Sequence, residues 1–245
     1  MKNILIIGAN SAIAKAVARA CAEEHARLFL LARDSALLAQ QKQDLEIRGA
    51  ATVDFAPLDV THFSLHEPVL EQALDTLGSI DLAVICHGSL PDQALCAEHF
   101  DAALEQFNIN ALGTISLLTL LGTHMMARKQ GCIAVVTSVA GDRGRPSNYV
   151  YGAAKGMVSQ YVQGLRGRLF PHNVHLVDVR PGFVDTPMTA HLRKGPLWSS
   201  PERIAQCLLE GVRLRRHTVY APGYWRVIMA VVRAIPDALF KRLPI

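Results

Sequence analysis

The feature that most narrows the fold of this chain is an alternation. Short, almost wholly apolar runs recur along it, separated by longer amphipathic stretches. The apolar runs are Lys2–Gly8, Arg27–Leu31, Ala51–Pro57, Ile80–Cys86, Gly131–Thr137, Val174–Val179 and Thr218–Tyr220. A strand with one wet face alternates apolar and polar residues, whereas a strand covered on both faces reads as a continuous apolar run. These runs are therefore expected to be parallel strands within a sheet. The main intervening stretches are Ala12–Glu24, Ser35–Arg48, Asp101–Arg128, Tyr149–Phe170 and Pro201–Leu214. They carry apolar residues at helical spacing, such as Ile13 and Val17, or Leu37, Leu38 and Leu45. Strand–helix alternation of this kind requires right-handed crossovers. The expected fold is α/β, a doubly wound parallel sheet of about seven strands.

Composition excludes several other classes. Half of the 245 residues are apolar and 19% are charged, so the chain can bury a large core and is not disordered. A net charge of +4 is too small to indicate nucleic-acid binding. The five cysteines, Cys21, Cys86, Cys96, Cys132 and Cys207, are scattered without CxxC spacing, which predicts neither a disulfide framework nor a zinc site. The histidines show no ligand spacing either, and no metal is expected. The first residues, MKNILIIGANS, form one short apolar run without a secretion-type cleavage site. The expectation is a reduced, cytoplasmic protein. A mean hydropathy of +0.20 is high for such a chain and calls for apolar surface somewhere.

The first strand ends in ILIIGANSAIA, directly before a helix. A glycine here lets the chain turn sharply, and the helix N-terminus offers N–H groups and a dipole to phosphate. Gly8 has this position, with Asn10, Ser11, Ala12 and Ile13 after it. Where a dinucleotide fingerprint carries three glycines, this chain has Gly8, Ala12 and Ala14, and alanine is small enough to preserve close packing. The second strand ends at Ala32, followed by Arg33 and Asp34. An acidic residue there would bind a ribose 2′-hydroxyl, whereas an arginine fork pairs with a 2′-phosphate. Asp34 comes late and is expected to cap the next helix. The reading is NADP(H) in preference to NAD(H), with a solvated Arg33 as its alternative.

The segment VVTSVAGDRGRPSNYVYGAAK carries the chemistry. Tyr151 and Lys155 stand four apart at the start of a helix and share a face. A phenol with a pKa of ~10 exchanges protons poorly at neutral pH, and a nearby ammonium favours its charged form. Tyr151 could then give a proton to a carbonyl oxygen or take one from an alcohol, with Ser138 bonded to the same oxygen.

With these motifs the chain resembles the short-chain dehydrogenase/reductase family from Met1 to about Pro222. The resemblance implies a Rossmann-type domain over 1–223 and a helical tail over 224–245. It implies that Gly8 through Ala14 form the phosphate turn and that Asp59 and Val60 contact adenine. Asn110, in FNINALG, would complete a proton relay with Ser138, Tyr151 and Lys155. Pro181 and Gly182 would shape the nicotinamide pocket, with Val184 and Thr186 as further contacts. The family's Asn-Asn-Ala-Gly appears here as Ile85-Cys86-His87-Gly88, so the backbone pinning those amides supply must come from elsewhere. His87 would then lie near the cofactor ribose as a spacer. A homodimer or homotetramer through the Leu112–Leu121 and Tyr149–Phe170 helices is also implied.

Three further features bear on the substrate. Arg143 and Arg145 lie between Ser138 and Tyr151, where arginine forks suit phosphate or merely solvate a loop. Phe183–Trp198 holds Met188, Leu192, Leu197 and Trp198 and reads as an apolar lid. The tail YWRVIMAVVRAIPDALFKRLPI places Trp225, Ile228, Val232 and Ile235 beside Arg226 and Arg233, the pattern of an interfacial helix or of a subunit contact. It is broken by Pro236 and too charged to span a membrane. These stretches narrow the resemblance to reductases of the family that act on decaprenylphosphoryl-2-keto-erythro-pentose. The implied activity is NADPH-dependent reduction of a polyprenyl-phosphate-linked keto sugar at the inner face of the membrane. The alternatives are a soluble reductase of a 3-oxoacyl thioester or steroid-like ketone, and a non-catalytic NADP(H)-binding regulator.

Overall fold

The computed structural model describes residues 1–243, so the last two residues of the tail lie outside it. Seven strands form one sheet: β1 (Asn3–Ile7), β2 (Arg27–Ala32), β3 (Thr52–Pro57), β4 (Leu82–Ile85), β5 (Gly131–Val136), β6 (Val174–Pro181) and β7 (Thr218–Ala221). Their order is β3-β2-β1-β4-β5-β6-β7, and every neighbouring pair is parallel. The expected strands match these within a residue or two.

Successive side chains of a strand point to opposite faces. In β1, Ile4 and Ile6 join one buried cluster, and Leu5 and Ile7 join the other. The first cluster is covered by α1 (Ala12–Glu23), α2 (Ser35–Ile47) and α8 (Pro201–Arg213). The second is covered by α3 (His66–Leu77), α6 (Gly113–Arg128) and α7 (Tyr149–Leu169). Two sided cores around one sheet explain why the strands read as unbroken apolar runs.

Between β4 and α6 lie α4 (Gln93–Glu98), α5 (Phe100–Phe107) and a π-helical turn over Asn108–Leu112. The tail forms α9 (Trp225–Ala234) and α10 (Asp237–Phe240), with Pro236 between them as expected. The helix α3 is absent from the expected elements. Its signal was present: Val69, Leu70, Ala73 and Leu77 line one face, and Gly78 ends the helix with φ +73°. The strand order reverses between β1 and β4, and a crevice opens there at the C-terminal strand ends.

Candidate active site

The crevice is a cleft of about 620 Å³. Its cofactor end is built from β1, β2 and the segments that follow them. Gly8 has φ +79°, and a Cβ there would stand 2.5 Å from the His87 backbone nitrogen. Glycine is thus required twice, by conformation and by contact. Ala12 and Ala14 lie inside α1, where no positive φ is needed. The reduced glycine count leaves the turn itself intact. Ser11 caps α1 by accepting from the Ala14 N–H at 3.2 Å. The side chain of Asn10 is tethered at both ends: its Oδ1 accepts from Gln41 at 2.6 Å, and its amide donates to the Asp34 carbonyl at 3.3 Å.

Asp34 caps α2 through the N–H groups of Ala36 and Leu37, as expected. Its carboxylate is thereby committed, and Arg33 is left as the exposed charge at the cleft rim. Asp59 and Val60 line the same end. The Asp59 carboxyl is held below its ordinary range, chiefly by the Thr61 backbone N–H that donates to Oδ1 at 2.9 Å. An open helix N-terminus, a side-chain-free turn and a flanking arginine suit a phosphate-bearing dinucleotide. The residues fit that group.

At the other end, Ser138, Tyr151 and Lys155 line one wall, with Gly88, Gly182, Val184 and Thr186 around them. Ser138 Oγ accepts from the Ala140 N–H at 3.1 Å. Its own proton remains free to donate, and Ser138 pulls the Tyr151 pKa downward. Lys155 is buried, with Nζ donating to the Val136 carbonyl at 3.3 Å and the His87 carbonyl at 3.5 Å. A Cβ on Gly88 would sit 3.3 Å from that Nζ and 2.9 Å from Asn110 Oδ1, so glycine clears the space for both.

The expectation that Lys155 lowers the Tyr151 pKa is corrected here. Burial pushes the phenol up to about 12, against the pull of the Ser138 hydrogen bond. Burial also brings Lys155 down to about 8, with Cys86 and Asp178 opposing. The Nζ is 5.8 Å from the Tyr151 ring centroid, and its bonds go to backbone instead. Desolvation outweighs the pairwise attraction at that distance.

Asn110 is fully buried in the π-helical turn, an irregularity often found at functional sites. It accepts from the Ser89 N–H at 3.0 Å and donates to the Ser89 carbonyl at 3.1 Å. That pair pins the backbone after β4. The partly buried His87 adds a second pin, with Nε2 3.0 Å from Thr114 Oγ1. Together they answer the missing family amides. Burial, aided by Lys155, takes His87 down to about 3, so it stays neutral and acts as a strut.

The two loop arginines part company. Arg145 lines the cleft, and burial lowers its pKa. Arg143 does not line it. Its guanidinium donates to the carbonyls of Val232 (2.7 Å), Arg233 (3.1 Å) and Ile235 (2.6 Å), pairs with Asp237 at 2.6 Å, and lies 3.8 Å from the Phe240 ring centroid. The expected substrate contact at Arg143 is therefore corrected to a clamp on the tail. The helix needs it because its last carbonyls have no intrahelical donors.

The tail is corrected as well. Trp225 is not at an outer boundary but buried in the cleft wall, and Met229 is buried beside it. Ile228 and Val232 pack against the same cluster. The outward apolar residues are Val227, Val231 and Leu239. The lid residues Phe183, Met188 and Leu192 line the cleft, while Trp198 stacks on Phe183 at 5.6 Å.

A buried polar chain under the site was missed. Asp178 takes the Thr137 hydroxyl and Arg180, the latter at 2.8 Å from Nε and 2.6 Å from Nη2. Arg180 also pairs with Asp142 at 2.6 Å, and the Tyr220 hydroxyl donates to Asp142 at 2.8 Å. This chain ties β6 and β7 to the segment between Ser138 and Arg143. Its signal was a pair of charges, Asp178 and Arg180, inside a strand that is apolar but for His175, where each must find a partner.

Comparison with known proteins agrees with this geometry. Residues 2–197 match the family model described as short chain dehydrogenase. An uncharacterized oxidoreductase of Mycobacterium tuberculosis is 32% identical over 241 residues, covering 98% of this chain and 96% of the relative. The ketoacyl reductase HetN of a Nostoc species is 29% identical, over 86% of this chain and 75% of the relative. The crystal structure of a 3-oxoacyl-[acyl-carrier protein] reductase from Brucella melitensis shares the fold, with a TM-score of 0.77 over 89% of each chain at 24% identity. The chain belongs to the short-chain dehydrogenase family and is an NAD(P)-dependent oxidoreductase.

Proposed function

We propose that this chain is an NADPH-dependent reductase whose substrate is the ketone of a polyprenyl-phosphate-linked keto sugar. The observation that carries the reductase reading is the convergence of Ser138, Tyr151 and Lys155 at one end of a cleft whose other end is the Gly8–Ile13 turn. A bound nicotinamide supplies the hydride. Tyr151, held as a neutral phenol, donates its proton to the carbonyl oxygen. The Ser138 hydroxyl donates to the same oxygen and orients it. Lys155 replaces the Tyr151 proton and holds the ribose. Asn110 fixes the backbone at Ser89 and lines up the relay beside Lys155. Arg33 favours the 2′-phosphate of NADPH, because no free carboxylate stands at the β2 end to bind a 2′-hydroxyl.

The substrate reading rests on the cleft mouth and the tail. Phe183, Met188 and Leu192 suit a prenyl chain, and Arg145 suits its phosphate. The outer face of α9 and α10 exposes Val227, Val231 and Leu239 beside Arg226, Arg233, Lys241 and Arg242. Such a face suits the anionic cytoplasmic surface of a membrane. Family members commonly act as oligomers, and a homodimer or homotetramer through α6 and α7 fits the exposed Met157 on α7 and Leu112 just before α6.

The test is NADPH consumption with a polyprenyl-phosphate 2-keto-pentose, using Tyr151→Phe as control. Turnover by the unaltered protein alone supports the full reading. The named activity of HetN favours a second reading, reduction of a 3-oxoacyl thioester. Turnover of the thioester but not the keto sugar would select it. For the tail, Val227→Glu with Val231→Glu is expected to abolish binding to anionic liposomes, measured by co-sedimentation.

A further inference from the structure

The buried polar chain beneath the site does not balance its own charge. Asp178 and Asp142 are carboxylates, and Arg180 is the guanidinium between them. The side chains of Asp178 and Asp142 are 1% and 2% exposed, and that of Arg180 is 11% exposed. Two anions and one cation leave one negative charge buried. Tyr220 adds no positive charge, and burial holds its phenol above the usual range. An unmatched buried charge is costly, so the set calls for a further cation.

The chain of contacts leads to Lys155, itself buried. Lys155 Nζ donates to the Val136 carbonyl at 3.3 Å. The next residue, Thr137, gives its hydroxyl to the Asp178 carboxylate. The residue after that is Ser138. Val136, Thr137 and Ser138 run consecutively, so the lysine, the carboxylate and the reacting serine are held on one short stretch. The Thr137 N–H fastens that stretch to β6 by donating to the Val179 carbonyl at 2.8 Å.

Cys86, His87 and Tyr151 also face Lys155, and none of them carries charge near neutral pH. Burial pushes the Cys86 thiol and the Tyr151 phenol each up to about 12, so both keep their protons. Burial takes His87 down to about 3, so it is neutral. On the other side, Arg166 of α7 faces Asp178. It is partly exposed and donates to the carbonyls of Leu176 and His217. A cation in touch with water offsets a buried charge less than one sealed in beside it.

We propose that Asp178 is a positioning residue of the reduction, the buried counter-charge that keeps Lys155 an ammonium beside Ser138. The set of Asp142, Arg180, Asp178 and Lys155 is then neutral as a whole. A lysine that replaces the Tyr151 proton must hold one to give. The catalytic consequence rests on the reductase reading, whereas the charge pairing itself needs no turnover.

The test is a series of denaturant titrations between about pH 6 and 10. Subtracting the same series in a Lys155→Met background isolates the lysine. In the unaltered protein its contribution rises with pH from about 8, where the folded chain begins to release the proton. Asp178→Asn keeps the side chain's size and removes its charge, and the onset should move down by roughly one pH unit. Thr137→Val cuts the hydroxyl bond while Arg180 still holds the carboxylate, and the onset should stay in place. A shift in Asp178→Asn alone upholds the proposal, and any other pattern among folded variants overturns it. If Asp178→Asn does not fold, Asp142→Asn removes a charge on the far side of Arg180. Its onset should move the same way by a smaller amount, and an unmoved onset overturns the proposal. In a pH–rate profile with NADPH and the keto sugar, the upper limb of kcat should move with the onset. A limb that stays while the onset moves overturns the positioning role. A moved onset in a protein that reduces no ketone upholds the pairing and faults the reductase reading instead.

Discussion

The two walls of the cleft are made in different ways. The cofactor and proton-relay wall is assembled from segments that leave the sheet one after another: Gly8–Ile13 after β1, Ala32–Asp34 after β2, Asp59–Val60 after β3, His87–Ser89 after β4 and Ser138 after β5. Most are held by their own element and the next helix, while His87–Ser89 is pinned from further along by Asn110 and Thr114, and Asn10 by Gln41. The substrate wall is assembled from distant parts. Gly182 gives way to Trp225, Phe183 stacks on Trp198, and Arg143 grips carbonyls about ninety residues away. A wall of the first kind persists if its local geometry persists. A wall of the second kind depends on a few long-range contacts and can change without disturbing the chemistry.

The largest effect should come from the first wall. Tyr151→Phe is expected to cut kcat by about 10²–10⁴-fold, because it removes the proton donor. NADPH affinity, measured by fluorescence titration, should stay within a factor of about two, since the phenol proton carries no packing. Next comes the clamp. Arg143→Ala should loosen the tail by about 2–3 kcal/mol, the order expected for a mostly buried guanidinium with several charge-assisted bonds. Faster hydrogen exchange in α9, with kcat nearly kept and KM raised, is the expected pattern. A collapse of kcat equal to that of Tyr151→Phe would end the distinction between the walls.

That distinction also decides how much was legible in the sequence. The strands were legible because burial on both faces leaves unbroken apolar runs. Ser138, Tyr151 and Lys155 were legible because their spacing is short and their chemistry interlocks. The cap at Asp34 followed from its place before a helix. Arg143 and Arg145 were not separable, because both sit in one loop and only the position of the tail tells them apart. Trp225 was assigned to the wrong side of its helix for the same reason. Periodicity finds an apolar stripe but not which of two apolar stripes meets the body, and here Val227 and Val231 face outward. The pinning role of Asn110 and His87 depends on Ser89 and Thr114, contacts that no spacing rule announces.

The pH response sharpens the description of the first wall. With Lys155 at about 8 and Tyr151 at about 12, the phenol keeps its proton across the working range while Lys155 does not keep its charge. Reduction should therefore fall above about pH 8, by roughly tenfold per unit if the cation is required. The same shift acts on stability. Between about pH 8 and 10.5 the unfolded chain holds a proton on this lysine that the folded chain has released. Stability contributed by this residue thus rises with pH across that window, and the cost of its buried charge is fully present below it. Lys155→Met should abolish both limbs, the first in a pH–rate profile and the second in denaturant titrations at pH 8 and 10.

The smallest effect belongs to Arg33, a first-wall charge that stands in water. An exposed arginine forming a fork with phosphate is worth far less than a buried one, because solvent and salt screen it. Arg33→Ala is expected to lower the preference for NADPH over NADH roughly tenfold, read as a ratio of dissociation constants. The loss should fall entirely on NADPH, since the Gly8 turn and the α1 terminus serve both cofactors alike. Raising ionic strength should narrow the same ratio in the unaltered protein and leave it flat in the variant. If NADH binding weakens in step with NADPH, Arg33 shapes the turn rather than reading the 2′-phosphate. The first wall would then also depend on an element beyond its own loop, and the contrast between the walls would be weaker at this corner.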